Sequence, residues 1–197
     1  MNQKNNQRFQ ETDRQIVETV FSLLEERPLQ KITVREVCEA IGINRSSFYL
    51  HYPDIYAVME QESVRHKEAL QQRFIEGAKI IDGFDPIAFL QVTLVYIREE
   101  KRFYRLFFRD MNMKELENGL GLVFSDLVEP VMRQIGLDDM RAAYHMTFFS
   151  YGVIAVIRLW VDLGCRETPE ELADIIRKSS AQLPDHVQKI FDQKKKT

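Results

Sequence analysis

The sequence predicts an all-α protein, and three observations carry that prediction. Apolar residues recur at three- and four-residue spacing along most of the chain, and the alternation typical of strands is absent. Gly and Pro number only 8 and 6 in 197 residues, so breaks are few and elements long. The breaks that do occur are followed by residues that cap helices. The expected architecture is a three-helix head over residues 1–53 and a helical body over 54–197.

A first helix is expected from about Thr12 to Glu26, where Ile16, Val20, Leu23 and Leu24 form a stripe widened by Val17 and Phe21. Pro28 ends it. Thr33 with Glu36 three residues on is a capping box, opening a short helix with Val34, Val37, Cys38 and Ile41 on one side. Gly42 stops that helix by supplying a positive φ. Asn44 caps a third short helix ending near Leu50. Pro53 interrupts the chain, and Asp54 can cap a fourth helix running towards Gly77. Asp82-Gly83-Phe84-Asp85-Pro86 is a break. Helical patterns follow at about 86–100, 102–110, 116–135, 139–164 and 169–182, with Gly136 and Asp138 separating the third from the fourth. Thr168-Pro169-Glu170-Glu171 is a helix start: a cap, Pro at the first position and early acids facing the positive end of the helix dipole.

Hydrophobic residues make up 45% of the chain, enough for a sizeable core. The polar N-terminus holds no apolar stretch of the signal-peptide kind. The longest apolar segment, Phe148 to Leu163, is interrupted by Ser150, Gly152, Arg158 and Asp162, so it reads as a buried helix and not a membrane span. Cys38 and Cys165 are the only cysteines, which fits a reducing compartment better than a disulfide scaffold. The expectation is a soluble cytoplasmic protein. No enzyme signature is present: no Gly-x-Ser-x-Gly, no phosphate-cradling glycine loop and no His-Glu-x-x-His. Neither a cofactor nor a metal is expected, since His66 and His145 lack further ligands at zinc-like spacing.

The informative stretch is Thr33 to Tyr52. Two short helices joined by a glycine turn, with Ala40 small enough for a close crossing, follow the grammar of a helix-turn-helix, whose second helix enters the major groove of DNA with its N-terminal residues towards base edges. Asn44, Arg45, Ser46, Ser47 and Tyr49 lie on the expected exposed side and can bond bases or phosphates. Ile43, Phe48 and Tyr52 are better placed to hold the helix down. Bulk charge does not add to this reading, because residues 1–60 carry seven Lys and Arg against nine Asp and Glu, a net −2. Any positive face must come from geometry.

The segment Ile32–Tyr52 resembles the DNA-binding head of the TetR/AcrR family of regulators. Thr33, Ala40, Gly42, Ile43, Phe48, Tyr49, His51 and Tyr52 stand where that family has a helix-start Thr, a small-residue helix, Gly-(Val/Ile) and the ending Phe-Tyr-x-His-(Phe/Tyr). The body resembles a Firmicutes-type C-terminal region of the same family, through Tyr96-Ile97-Arg98, Phe103-Tyr104-Arg105-Leu106-Phe107, Tyr151-Gly152 and Arg158-Leu159-Trp160. The resemblance implies a sequence-specific transcription regulator, most simply a repressor released by a small apolar or amphipathic effector. It implies that Thr33, Arg35, Arg45, Tyr49 and His51 hold the DNA backbone, while Asn44, Arg45, Ser46 and Ser47 face bases. It also implies a homodimer on an inverted-repeat operator of double-stranded DNA, joined through the helices near 139–164 and 169–182. The broad apolar faces of those helices and the small Gly152 agree with that. One position departs: the Lys that the family commonly places three residues past the His-aromatic pair is Ile55 here.

Plainer readings stand beside these. Arg45 could pair with Glu39, Tyr49 could pack on the first helix, and His51 could serve a structural bond. Phe103, Phe107, Tyr144, His145 and Phe148 could line an effector pocket or be ordinary core. Cys38 is expected to be packing, whereas Cys165 could respond to redox change. An activator, a regulator controlled by a protein partner without a small-molecule pocket, and a helical protein that has lost DNA binding are the alternatives to an effector-released repressor.

Overall fold

The computed structural model describes residues 3–77, 86–110 and 140–180. Within them the chain forms eight α-helices and no strand. They are α1 (Gln3–Glu26), α2 (Val34–Ile41), α3 (Arg45–Tyr49), α4 (Ile55–Gly77), α5 (Pro86–Glu99), α6 (Lys101–Asp110), α7 (Met140–Asp162) and α8 (Pro169–Ser180), with a 3-10 turn at Leu29–Lys31. The helical pattern at 116–135, the break at 82–86 up to its last residue, the break at 136–138 and everything after residue 180 lie outside the described residues.

The chain divides into two compact units, Met1–His66 and Lys67–Thr197. The first unit therefore extends beyond the expected boundary at 53. The reason is packing: Ile55, Ala57 and Val58, in the first turn of α4, are buried. The core of this unit is the α1 stripe of Ile16, Val20 and Leu24 with Val37 of α2, Phe48 of α3 and Tyr52 behind it. Local chemistry sets the element ends as expected. Glu36 N–H donates to Thr33 Oγ1 at 3.3 Å while Thr33 N–H donates to Glu36 Oε2 at 2.9 Å, satisfying two amides that a helix start leaves open. Gly42 sits at φ 71 and its N–H closes on the Cys38 carbonyl. Ala57 N–H donates to Asp54 Oδ1 at 2.8 Å.

One end differs. α1 begins at Gln3, well before Thr12. The Thr12 hydroxyl does not cap the helix but bonds back to the Arg8 carbonyl at 3.0 Å. The extra turns carry Glu11, which accepts from Arg14 at 2.7 Å, and Phe9, whose ring stacks on His51 with centroids 3.9 Å apart. The extension is thus fastened by a tertiary contact that no local pattern encodes.

In the second unit α5 packs on α8, and α6 packs on α7. α6 places Phe103, Tyr104, Phe107 and Phe108 in the core beside Tyr96 of α5. Tyr96 and Tyr104 meet edge to face at 6.1 Å, and the Arg73 guanidinium lies 4.8 Å over the Tyr96 ring. The turn after α7 is held by Cys165 N–H to the Trp160 carbonyl at 2.8 Å and by Trp160 Nε1–H to the Glu167 carbonyl at 3.1 Å. α8 opens on a second capping box, Thr168 with Glu171. No helix among the described residues is long and apolar enough to cross a membrane.

Candidate nucleic-acid interface

α3 is only five residues long, too short to be stable alone. Its geometry comes from what holds it. Asn44 Oδ1 accepts from Ser47 N–H at 2.7 Å and from Ser47 Oγ at 3.1 Å, so the N-terminal turn is closed by its own cap. Phe48 and Tyr52 are fully buried and tie the far end to the core. The opposite face carries Arg45, Ser46, Tyr49 and Leu50, all exposed. Tyr49 is 54% exposed, and its ring meets Phe48 edge on at 5.7 Å.

The charges sort in a way the bulk balance hides. Glu39 accepts from Arg35 Nε at 2.6 Å, not from Arg45, and this bond holds the Arg35 guanidinium above its ordinary range. Glu36 is taken by the Thr33 amide and hydroxyl and by Arg27 at 2.9 Å, which together lower its carboxyl below the usual range. Asp13 is taken by Arg65 at 2.7 Å. Acids near α3 are neutralised inside the unit, and Arg45 projects from the N-terminal turn with no acid partner among the described residues. A net-acidic head can thereby present a local positive point to phosphates.

The other expected site residues fall in three groups. Thr33 and Asn44 spend their side-chain oxygens on caps, leaving the Asn44 amide NH₂ for an outside acceptor. Arg35 is exposed but paired. His51 is turned inward: its side chain is 4% exposed, its Nδ1 lies 3.5 Å from Asp13 Oδ1, and Phe9 covers its face. Ile55, standing at the position where the resemblance leads one to expect Lys, is a core residue, 4% exposed. The apolar side chain is thus accounted for by packing, since burying an ammonium is costly. Of the five residues expected around an effector, Phe103 and Phe107 are packed core with rings 5.3 Å apart. Tyr144 and Phe148 are 68% and 73% exposed, and the His145 side chain lies outside the described residues. The two exposed rings instead begin a line along α7 that continues through Gly152, Val156, Leu159 and Leu163, all exposed. At 100° per residue these positions share one arc of about 120°.

The comparisons with known proteins agree with this geometry. Residues 16–61 match the family described as bacterial regulatory proteins, tetR family, and residues 85–182 match the family described as transcriptional regulator C-terminal region. The chain belongs to the TetR family. It is 23% identical over 168 residues to the uncharacterized HTH-type transcriptional regulator YxbF of Bacillus subtilis (strain 168), a match covering 81% of this chain and 42% of that protein. The chain thus spans less than half the length of the curated relative it matches. Among solved structures it resembles the dihydroxyacetone kinase operon activator DhaS, with a TM-score of 0.53 at 17% identity, covering 85% of this chain and 93% of that one; at that identity the likeness concerns the fold. As a member of the TetR family the chain carries the family's helix-turn-helix DNA-binding head and a regulator's C-terminal region. Missed in the sequence were Phe9, Asp13 and Arg65, which assemble around His51. The stretch before Thr12 reads as polar lead-in, and Asp13 and Arg65 are 52 positions apart.

Proposed function

We propose that this regulator binds an inverted-repeat operator as a homodimer, each protomer laying the N-terminal turn of α3 in the major groove. Arg45 and Ser46 face base edges, helped by the Asn44 amide and by Ser47. Thr33, Arg35 and Tyr49 flank them and hold phosphates. His51, covered by Phe9, braces the end of α3 from inside. The observation that supports this most is the exposed Arg45, without an acid partner among the described residues, on a helix whose start and end are both fixed. A preorganised Arg can make a bidentate contact to guanine. The test is a fluorescence titration on a duplex selected by the wild-type protein from a random pool. Arg45→Ala should cost about 1–3 kcal/mol, or roughly 5–150-fold in affinity, and relax preference at one base pair. Unaltered affinity and preference would remove Arg45 from the role.

The dimer is supported by the apolar line along α7. Six neighbouring positions ending at Leu163 are unpartnered on one face, and Ile175 of α8 is exposed as well. An isologous pairing of these helices covers both faces at once, and an inverted repeat asks for two copies of α3 about one DNA turn, roughly 34 Å, apart. Such a protein acts in the cytoplasm, where its operator is.

The regulation we propose is repression relieved by a small apolar or amphipathic effector bound in the helical body, beside the Phe103–Phe107 rings. A thermal-shift screen tests it: a ligand at 100 times its Kd should add about 2.7 kcal/mol to the body's stability. Two observations favour a second reading, an activator or a regulator set by a protein partner. The structural relative carries the name of an operon activator, and the rings of α6 are packed against each other. A reporter fused to the operator separates the two readings: deletion of the gene raises expression for a repressor and lowers it for an activator.

A further inference from the structure

The head contains a polar cluster that the DNA-facing surface does not use. Asp13 of α1 is its centre. Arg65 of α4 donates to Asp13 Oδ2 at 2.7 Å and also binds Glu62 on its own helix. Asp13 Oδ1 faces His51 Nδ1 at 3.5 Å. That nitrogen is buried and has no hydrogen-bond partner. The Tyr52 hydroxyl, also buried, is directed at the same carboxylate without reaching good hydrogen-bond geometry. Phe9, one helical turn before Asp13, closes the far side of the imidazole. A single carboxylate thus stands between Arg65 of α4 and His51, two residues past the end of α3.

Apolar anchors alone would not fix the angle of α3. Phe48 and Tyr52 hold it by burial, which is non-directional. A charge-assisted bond to a guanidinium fork is directional and short-ranged. We propose that Asp13 is a positioning residue for operator recognition: held by Arg65 on one oxygen and set against His51 with the other, it fixes the orientation in which α3 presents Arg45 and links that orientation to α4. The proposal rests on the reading of α3 as the helix that meets DNA. It makes a distinction a merely stabilising ion pair does not. An altered angle removes base register while sequence-independent attraction to phosphates persists.

The experiment measures Asp13→Asn and Arg65→Gln by fluorescence anisotropy on the selected operator and on an unrelated duplex at one salt concentration, beside thermal melts by circular dichroism. The two substitutions change charge in opposite directions, so they move the unrelated duplex oppositely and modestly. Both should nevertheless lose about tenfold or more of the preference for operator over unrelated DNA. The double variant should lose no more than Asp13→Asn alone, since both act through one contact. Unchanged preference in folded variants overturns the proposal, as does equal loss on both duplexes in step with a falling melting temperature. Where Asp13→Asn does not fold, Arg65→Gln decides, because the Arg65 side chain is 47% exposed and tolerates replacement. A wild-type protein that selects no duplex refutes the DNA-reading function itself; a selective wild type with equally selective variants refutes only the role of Asp13.

Discussion

The two units of this protein solve opposite surface problems. The head, Met1–His66, ties its polar groups to one another: Asp13 with Arg65, Glu36 with Thr33, and Asn44 with Ser47. It leaves outside a short helix bearing Arg45, which has no acid partner among the described residues. The body, from Lys67 on, keeps the rings of α6 inside and leaves an apolar line along α7, Tyr144 and Phe148 included, outside. The contrast matches two kinds of partner. A hydrated, charged duplex is met by few directional groups that must be held still. A second copy of the same helix is met by area, which needs alignment but little polar precision.

The strongest way to break the comparison is to unfold one unit and watch the other. Phe48→Ala removes a fully buried ring of the head and should cost about 3–5 kcal/mol. Calorimetry should show the head's transition falling while the body's stays; one common transition shifting as a whole would deny that the units are separate. Next in size is the α7 face. Leu159→Glu places a charge in the middle of the apolar line, at an exposed position, so the fold should survive. Sedimentation velocity should show monomers, and affinity for a two-half-site operator should drop about a hundredfold. A dimer that persists would move the interface elsewhere.

The smallest effect concerns pH and sharpens where the head ends. Burial lowers the imidazole of His66, the last residue of the first unit, to about 4, against about 6.5 in an unfolded chain. Below 6.5 the unfolded chain takes up a proton that the folded chain refuses, so stability is lost as pH falls from about 6.5 towards 4 and is unaffected above that window. The loss at pH 5 should be on the order of 1 kcal/mol after allowing for partial exposure. Urea melts at pH 7 and pH 5 measure it, and His66→Gln should abolish the difference. If the variant keeps it, other groups carry the acid sensitivity.

How much of this was legible in the sequence follows from the range of each interaction. The caps at Thr33, Asn44, Asp54 and Thr168 and the turn at Gly42 are settled within four residues, and the chain states them openly. The Arg35–Glu39 pair is equally local, yet Glu39 could as well have met Arg45; spacing proposes both and only the crossing of α2 and α3 decides. The α1 extension could not be read, because Phe9 finds its partner 42 positions later. Tyr144 and Phe148 show a different limit. Apolar character says that a face will be covered, and not whether by the chain's own core, a ligand or another copy.

The corner between α7 and α8 has a practical consequence. Gly164 and Cys165 are consecutive left-handed residues, at φ 82 and 58, and the cysteine holds that conformation at a cost of about 1 kcal/mol. Glycine adopts it freely, so Cys165→Gly should leave the turn intact while removing the more accessible of two thiols; the other, Cys38, is buried and pushed up by that burial. In that background a new thiol introduced by Leu50→Cys, at a site 76% exposed at the end of α3, would be the sole attachment point for a spin label. The chain thereby offers its own molecular ruler, with which the spacing between paired recognition helices can be followed in solution, free and on DNA.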